Sequence, residues 1–140
     1  MIKIIMGVKG SGKTKAFIEN VNSAVHKEHG HVVCITKGSR HMFDLNHKVR
    51  MVDSSEVSIK NHDVFYGFLA GILSGNFDIT HVFIDSVTKI VDCENSLRGF
   101  DDIIPSVKEL SDHFSVAFTV TISADISDVP PNIKEYLVEY

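Results

Sequence analysis

Eight consecutive residues, Gly7, Val8, Lys9, Gly10, Ser11, Gly12, Lys13 and Thr14, fit the pattern G-x-x-x-x-G-K-[ST]. Each fixed position has a chemical reason. The glycines open backbone angles closed to other residues, so that consecutive amides can turn inward around an anion. A helix starting at the end of the run would add its free N-terminal amides and its partial positive charge. Lys13 would then reach the β- and γ-phosphates of a nucleoside triphosphate, and the Thr14 hydroxyl would ligate Mg²⁺.

Phosphate sites of this design take a second metal-side ligand from an Asp at the tip of a hydrophobic strand, and Val82, Phe83, Ile84 and Asp85 supply one. In isolation such an Asp often only caps the next turn. Beside the glycine-rich loop it is read, with Thr14, as a metal ligand.

The surrounding elements must hold these groups in place. Ile2 to Met6 reads as a short strand broken by Gly7, and Phe17, Val21 and Ala24 mark a helix from about Gly12 to Glu28 that stops before Gly30. Residues 31–36 (HVVCIT) form a second strand. Between Lys37 and Asn61 the pattern thins: Val49, Met51 and Val52, then Val57 and Ile59, suggest a hairpin or an irregular excursion. Val64, Phe65, Phe68, Leu69, Ile72 and Leu73 recur at helical spacing, with Asn61 or Asp63 as the cap, and Gly67 and Gly71 on the other side would let a neighbouring backbone approach. Residues 80–85 form a strand. A helix capped by Asp101 or Asp102 would hold Pro105 in its first turn, leaving residues 93–100 as loop. Residues 115–123 alternate as a strand, with Val116, Phe118, Val120 and Ile122 on one face, and the segment to Tyr140 is open between helix and strand. The order predicts an α/β three-layer sandwich with a mainly parallel sheet, one domain over residues 1–140.

Composition excludes several classes. Hydrophobic residues make up 44% of the 140 and charged residues 23%, which fits a globular chain, and the net charge of -4 with no basic block leaves no strong nucleic-acid signature. The longest apolar run, Val64 to Leu73, is about half what a bilayer needs, so no membrane span is expected. Cys34 and Cys93 match no paired spacing and read as reduced thiols of a cytoplasmic protein. His26, His29 and His31 cluster without completing a zinc spacing and read as surface residues.

The loop and the strand Asp make the chain resemble the P-loop NTPase superfamily, in particular the RecA-like class with an additional strand between the loop strand and the Asp strand. It is also similar to short stand-alone bacterial P-loop proteins that sometimes carry a twitching-motility label, although the acidic and His motifs of the longer pilus-retraction ATPases are absent. The resemblance implies a minimal RecA-like core. It also implies a polar residue at the end of the strand beside the loop strand that senses the γ-phosphate, a place for Ser123 or Thr121. Lys13, Asp85 and Ser123 are thus the catalytic candidates. Relatives often follow the strand Asp with a water-polarising Glu, where this chain has Ser86; neither Asp92 nor Glu94 replaces it convincingly.

The expected function is Mg²⁺-dependent ATP binding with slow or partner-activated hydrolysis, the partner being a second copy or another protein. Alternatives are a small-molecule or nucleotide kinase, and a nucleotide-dependent binding module with little hydrolysis. Only Arg40, Arg50 and Arg98 are available as arginines, too few for a cationic kinase lid. The turn at Lys37 and Arg40 follows the second strand and would open on the nucleotide edge of a parallel sheet, although a solvated turn explains it equally.

Overall fold

Strands buried on both faces read as near-continuous apolar sequence, and four of the five strands of this chain are mostly buried, the short edge strand at residues 50–53 being the exception. The computed structural model of the protein describes residues 1–39, 41–91 and 100–140. Strand β1 spans Ile2–Gly7, β2 His31–Thr36, β3 Arg50–Asp53, β4 Ile79–Ile84 and β5 Ala117–Ser123. They form one all-parallel sheet in the order β1-β5-β4-β2-β3. Strand β5 therefore separates β1 from β4, as the resemblance implied.

Helix α1 (Lys13–Lys27) covers one face, where Phe17, Val21 and Ala24 pack on Val32, Cys34 and Phe83. Helices α2 (His62–Ser74) and α4 (Phe100–Phe114) cover the other, packing Phe65, Leu69, Leu73, Val107 and Leu110 on Val82, Ile84, Phe118 and Val120. A one-turn helix α3 (Val87–Ile90) follows β4. The result is a three-layer α/β sandwich. Among the described residues, no helix is long and apolar enough to cross a membrane.

Three expectations change, and one open choice is decided. Between Lys37 and Asn61 no hairpin joins residues 49–52 to residues 57–59; Met51 and Val52 lie in β3, and the chain leading to it is an irregular excursion. That excursion buries Leu45 and Val49 in the core that α1 covers and delivers β3 parallel to β2 at the sheet edge, a return that needs a long connection rather than a tight turn. Residues Val57 and Ile59 form no strand and follow a short 3-10 turn at Ser54–Glu56. Helix α4 begins at Phe100, so Pro105 lies inside it and not in a first turn set by Asp101 or Asp102. Gly67 and Gly71 face open space, and no backbone approaches them. Asn61, not Asp63, caps α2 by accepting from the Val64 amide at 3.0 Å. The last segment is two 3-10 turns, Ile126–Asp128 and Pro131–Tyr136, after which Leu137 bridges to Ile4 on the free side of β1. Arg40, Asp92, Cys93, Glu94 and Arg98 lie outside the described residues.

His26, His29 and His31 are exposed, but His81 is not a surface histidine. It stacks on Phe83 with ring centroids 4.1 Å apart; its Nε2 lies 2.9 Å from the Thr119 hydroxyl and its Nδ1 3.1 Å from Glu28. Burial holds its pKa below the ordinary 6.5, against the opposing pull of Glu28. The unfolded chain therefore takes up this proton first, and stability falls as pH drops through 6.5 toward the lower folded value. The urea midpoint should decrease between about pH 7.5 and about pH 5.5, and His81→Gln should flatten that slope. An equally steep slope in the variant would assign the dependence to other groups.

Candidate functional site

The glycine-rich segment begins where β1 ends and α1 has not yet started. Gly10 and Gly12 take φ values of 87° and 90°, left-handed angles that residues with a Cβ adopt at a cost. Gly10 lies in a turn that the Ser11 amide closes on the Val8 carbonyl at 3.2 Å. Gly12 is the N-cap of α1 and offers no side chain, so the first amides of a 15-residue helix are left for another acceptor. Gly7 has a different role. A Cβ there would collide with the Tyr140 hydroxyl and the Ser11 side chain.

The register of the sheet sets the second wall. Gly7 pairs with Ser123 across β1 and β5, and the Lys13 ammonium donates to the Ser123 hydroxyl at 3.0 Å. A cleft of about 580 Å³ opens above them, lined by Val8 to Gly10, Gly12 to Thr14, Ser86, Lys89 and Ser123. Of the two hydroxyls weighed for the strand-end position, Ser123 lies on Lys13. Thr121 instead serves Asp85.

Asp85 is 7% exposed at the end of β4, and both of its oxygens are engaged. Oδ1 accepts from the Thr121 hydroxyl at 3.0 Å and from the Ser86 hydroxyl at 3.3 Å, while Oδ2 lies 3.2 Å from His41 Nε2. The Ser86 amide donates to Thr121 Oγ1 at 2.6 Å. Burial, followed by the negative charge of Asp85, pushes the pKa of the nearby Cys34 thiol up to about 12, so Cys34 stays protonated and inert. Among the described residues no cluster of three or more His, Cys, Asp or Glu side chains is arranged to hold a metal.

Three participants escaped the sequence reading. Lys89 stands on α3 and lines the cleft; its position four residues after Asp85 was the available signal. His41, at φ 64°, packs against Phe17 and reaches Asp85. Tyr140 reaches the loop from the other end of the chain: its hydroxyl donates to the Met6 carbonyl at 3.0 Å, and the Ser11 hydroxyl then donates to it at 2.8 Å. No local pattern announces either of the last two. Arg50 opens β3 and so lies at the opposite edge of the sheet from the cleft. Lys37 is exposed and faces a different cavity.

No protein-family model and no curated protein matches the chain. Among solved structures it is similar to a KaiC-like protein from the hyperthermophilic archaeon Pyrococcus horikoshii OT3, with a TM-score of 0.68 and 17% identity. The chain has a RecA-like P-loop NTPase fold. The match covers 96% of this chain and 66% of that one, so the chain spans less than two thirds of its neighbour's length. At this identity the likeness speaks to the fold.

The Tyr140 hydroxyl ties the loop to β1 at two points. Tyr140→Phe should lower stability by about 1 kcal/mol, read as a lower urea midpoint at unchanged slope. No change in midpoint would show that water replaces the hydroxyl without loss.

Proposed function

We propose that residues 1–140 act as one nucleotide-binding domain that takes ATP with Mg²⁺ in the cleft above Gly7 to Thr14 and hydrolyses it slowly until a partner completes the site. The observation that carries this reading is the Lys13 ammonium, held over the loop by Ser123 at 3.0 Å. With the open amides of α1 it forms a positive, donor-rich concavity matched to a triphosphate.

The donor set suits Mg²⁺, which takes hard oxygen ligands. Thr14 lines the cleft and would offer a hydroxyl; Asp85 does not line it, and with Thr121 and Ser86 on Oδ1 and His41 on Oδ2 it would act on the ion through the ion's water shell. Bound there, the ion would neutralise phosphate charge as it develops. The protein's own part is positioning: the loop amides orient the phosphates, Lys13 compensates the β- and γ-oxygens, and Ser123 holds the Lys13 ammonium in place. Lys89 adds a second cation to the cleft wall.

Among the described residues, none of those lining the cleft is a carboxylate. That supports slow turnover alone and a water-orienting group supplied by a second copy or another protein. The same absence favours, as a second reading, a nucleotide-dependent binding module.

Lys13→Ala should weaken ATP binding in calorimetry by about 1.5 to 3 kcal/mol while the fold persists. Asp85→Asn should reduce the Mg²⁺-dependent part of the affinity and leave metal-free binding nearly unchanged. Hydrolysis by the wild type should fall in both variants. Tight Mg·ATP binding without turnover at any protein concentration would favour the binding module, and equal affinity in Lys13→Ala would remove Lys13 from the site.

A further inference from the structure

The carboxyl edge of the sheet carries a second concavity, of about 380 Å³, on the far side of α3 from the phosphate cleft. Three strand ends build it. Lys37 follows β2, Ser54 and Ser55 follow β3, and Ile90 closes α3 after β4, while residues 57–60 form the remaining wall. Lys89 lines the first cleft and its neighbour Ile90 the second, so the two cavities share a one-turn helix as their partition.

The chemistry of the lining is one-sided. Lys37 and Lys60 contribute two ammonium groups, and no carboxylate is among the described lining residues. Two acids flank the wall without lining it: Glu56, between Ser55 and Val57, and Asp53, whose Oδ1 accepts from the Gly38 amide at 2.7 Å, the Ser55 amide at 2.9 Å and the Ser55 hydroxyl at 2.7 Å. Those three donors, the Ser55 hydroxyl foremost, hold the Asp53 pKa below the ordinary carboxylate value. They also pin the turn after β2 to the turn after β3, which fixes the wall that Lys37 and Ser54 share. Ile59 and Ile90, each 5% exposed, give the cavity an apolar floor.

One polar group is left over. Ser54 is 3% exposed, yet its hydroxyl has no hydrogen-bond partner among the described residues. A buried hydroxyl without a partner is costly, and natural sequences retain few of them. Placed in a wall beside two cations, it has the character of a ligand group waiting for an acceptor.

We propose that this cavity binds a small organic anion, a phosphomonoester or a dicarboxylate, with its charge between Lys37 and Lys60, an oxygen on the Ser54 hydroxyl and its carbon skeleton on Ile59 and Ile90. The site goes beyond the nucleotide reading and does not depend on it. Ligands of parallel α/β sheets bind outside the carboxyl ends of the strands, and this cavity lies there.

Amide chemical shifts of the intact protein test the proposal during titration with glycerol 3-phosphate and, separately, with succinate. The expected result is a saturable response at Lys37, Gly38 and residues 54–60 with at least one probe. It should persist in Lys13→Ala and weaken at least about tenfold in the double variant Lys37→Ala, Lys60→Ala. The two arms tell phosphate from carboxylate. Shifts at residues 7–14 report on the nucleotide cleft, so each reading fails on its own residues. Ser54→Ala gives a sharper check: removing an unpartnered buried hydroxyl should leave the thermal midpoint equal or higher while binding weakens. No saturable shift at residues 54–60 with either probe, an undiminished response in the double lysine variant, or full affinity in Ser54→Ala would overturn the proposal.

Discussion

Strand β5 reads Ala-Phe-Thr-Val-Thr-Ile-Ser, and its alternation separates two kinds of work. Phe118, Val120 and Ile122 face the core under α2 and α4. Thr119, Thr121 and Ser123, two residues apart, share the opposite face by the pleat of the strand. Each of these hydroxyls meets a different functional group: Thr119 the His81 ring, Thr121 the Asp85 carboxylate and the Ser86 amide, Ser123 the Lys13 ammonium. Because β5 lies between β1 and β4, this ladder spans the gap between the glycine-rich loop and the acid strand. A one-residue slip of β5 would turn all three hydroxyls into the apolar core and leave Asp85 and the Ser86 amide without their partner.

The same ladder explains how a carboxylate survives at 7% exposure. Burying an ionised carboxyl costs several kcal/mol unless hydrogen bonds replace its water. Thr121, Ser86 and His41 provide three such contacts. Two of those residues, Ser86 and His41, adopt left-handed backbone angles of 53° and 64°, which a residue with a Cβ adopts at a cost. Such angles persist where the surroundings over-determine them, and they cluster at sites where geometry matters more than stability.

What the sequence disclosed and what it hid divide by range. The loop from Gly7 to Thr14, the strand ending at Asp85 and the helix after Asn61 are written in contiguous residues, so period and motif suffice to find them. The parallel sheet followed from the order of the elements, and the RecA-like resemblance correctly put a strand between β1 and β4. Between Lys37 and Asn61 the sequence left a hairpin and an irregular excursion open, because Leu45 and Val49 answer to helix α1, a partner that local alternation cannot reveal. Pro105 misled for the same reason. Packing of Val107 and Leu110 on the sheet sustains a helix across a residue that local propensity would place at its start. The roles of His41 and Tyr140 depend on contacts 44 and 129 residues away, and no spacing rule reaches that far.

The Tyr140 contact bears on how the loop can work. A glycine-rich segment loses more conformational freedom on ordering than any other, and a ligand that had to order it would bind correspondingly more weakly. Here the segment is held from two sides before any anion arrives. Lys13 ties its helical end to β5 through Ser123, and Ser11 ties its middle to Tyr140, which in turn grips the Met6 carbonyl on β1. Gly7 is the residue that permits this second tie, since any side chain there would displace the phenol. The entropy of forming the nest is therefore spent in folding, when Leu137 and Val138 dock along β1, and not at the moment of binding. Whatever moves the segment after Pro131 must also loosen the loop, because the two are joined by the same hydroxyl.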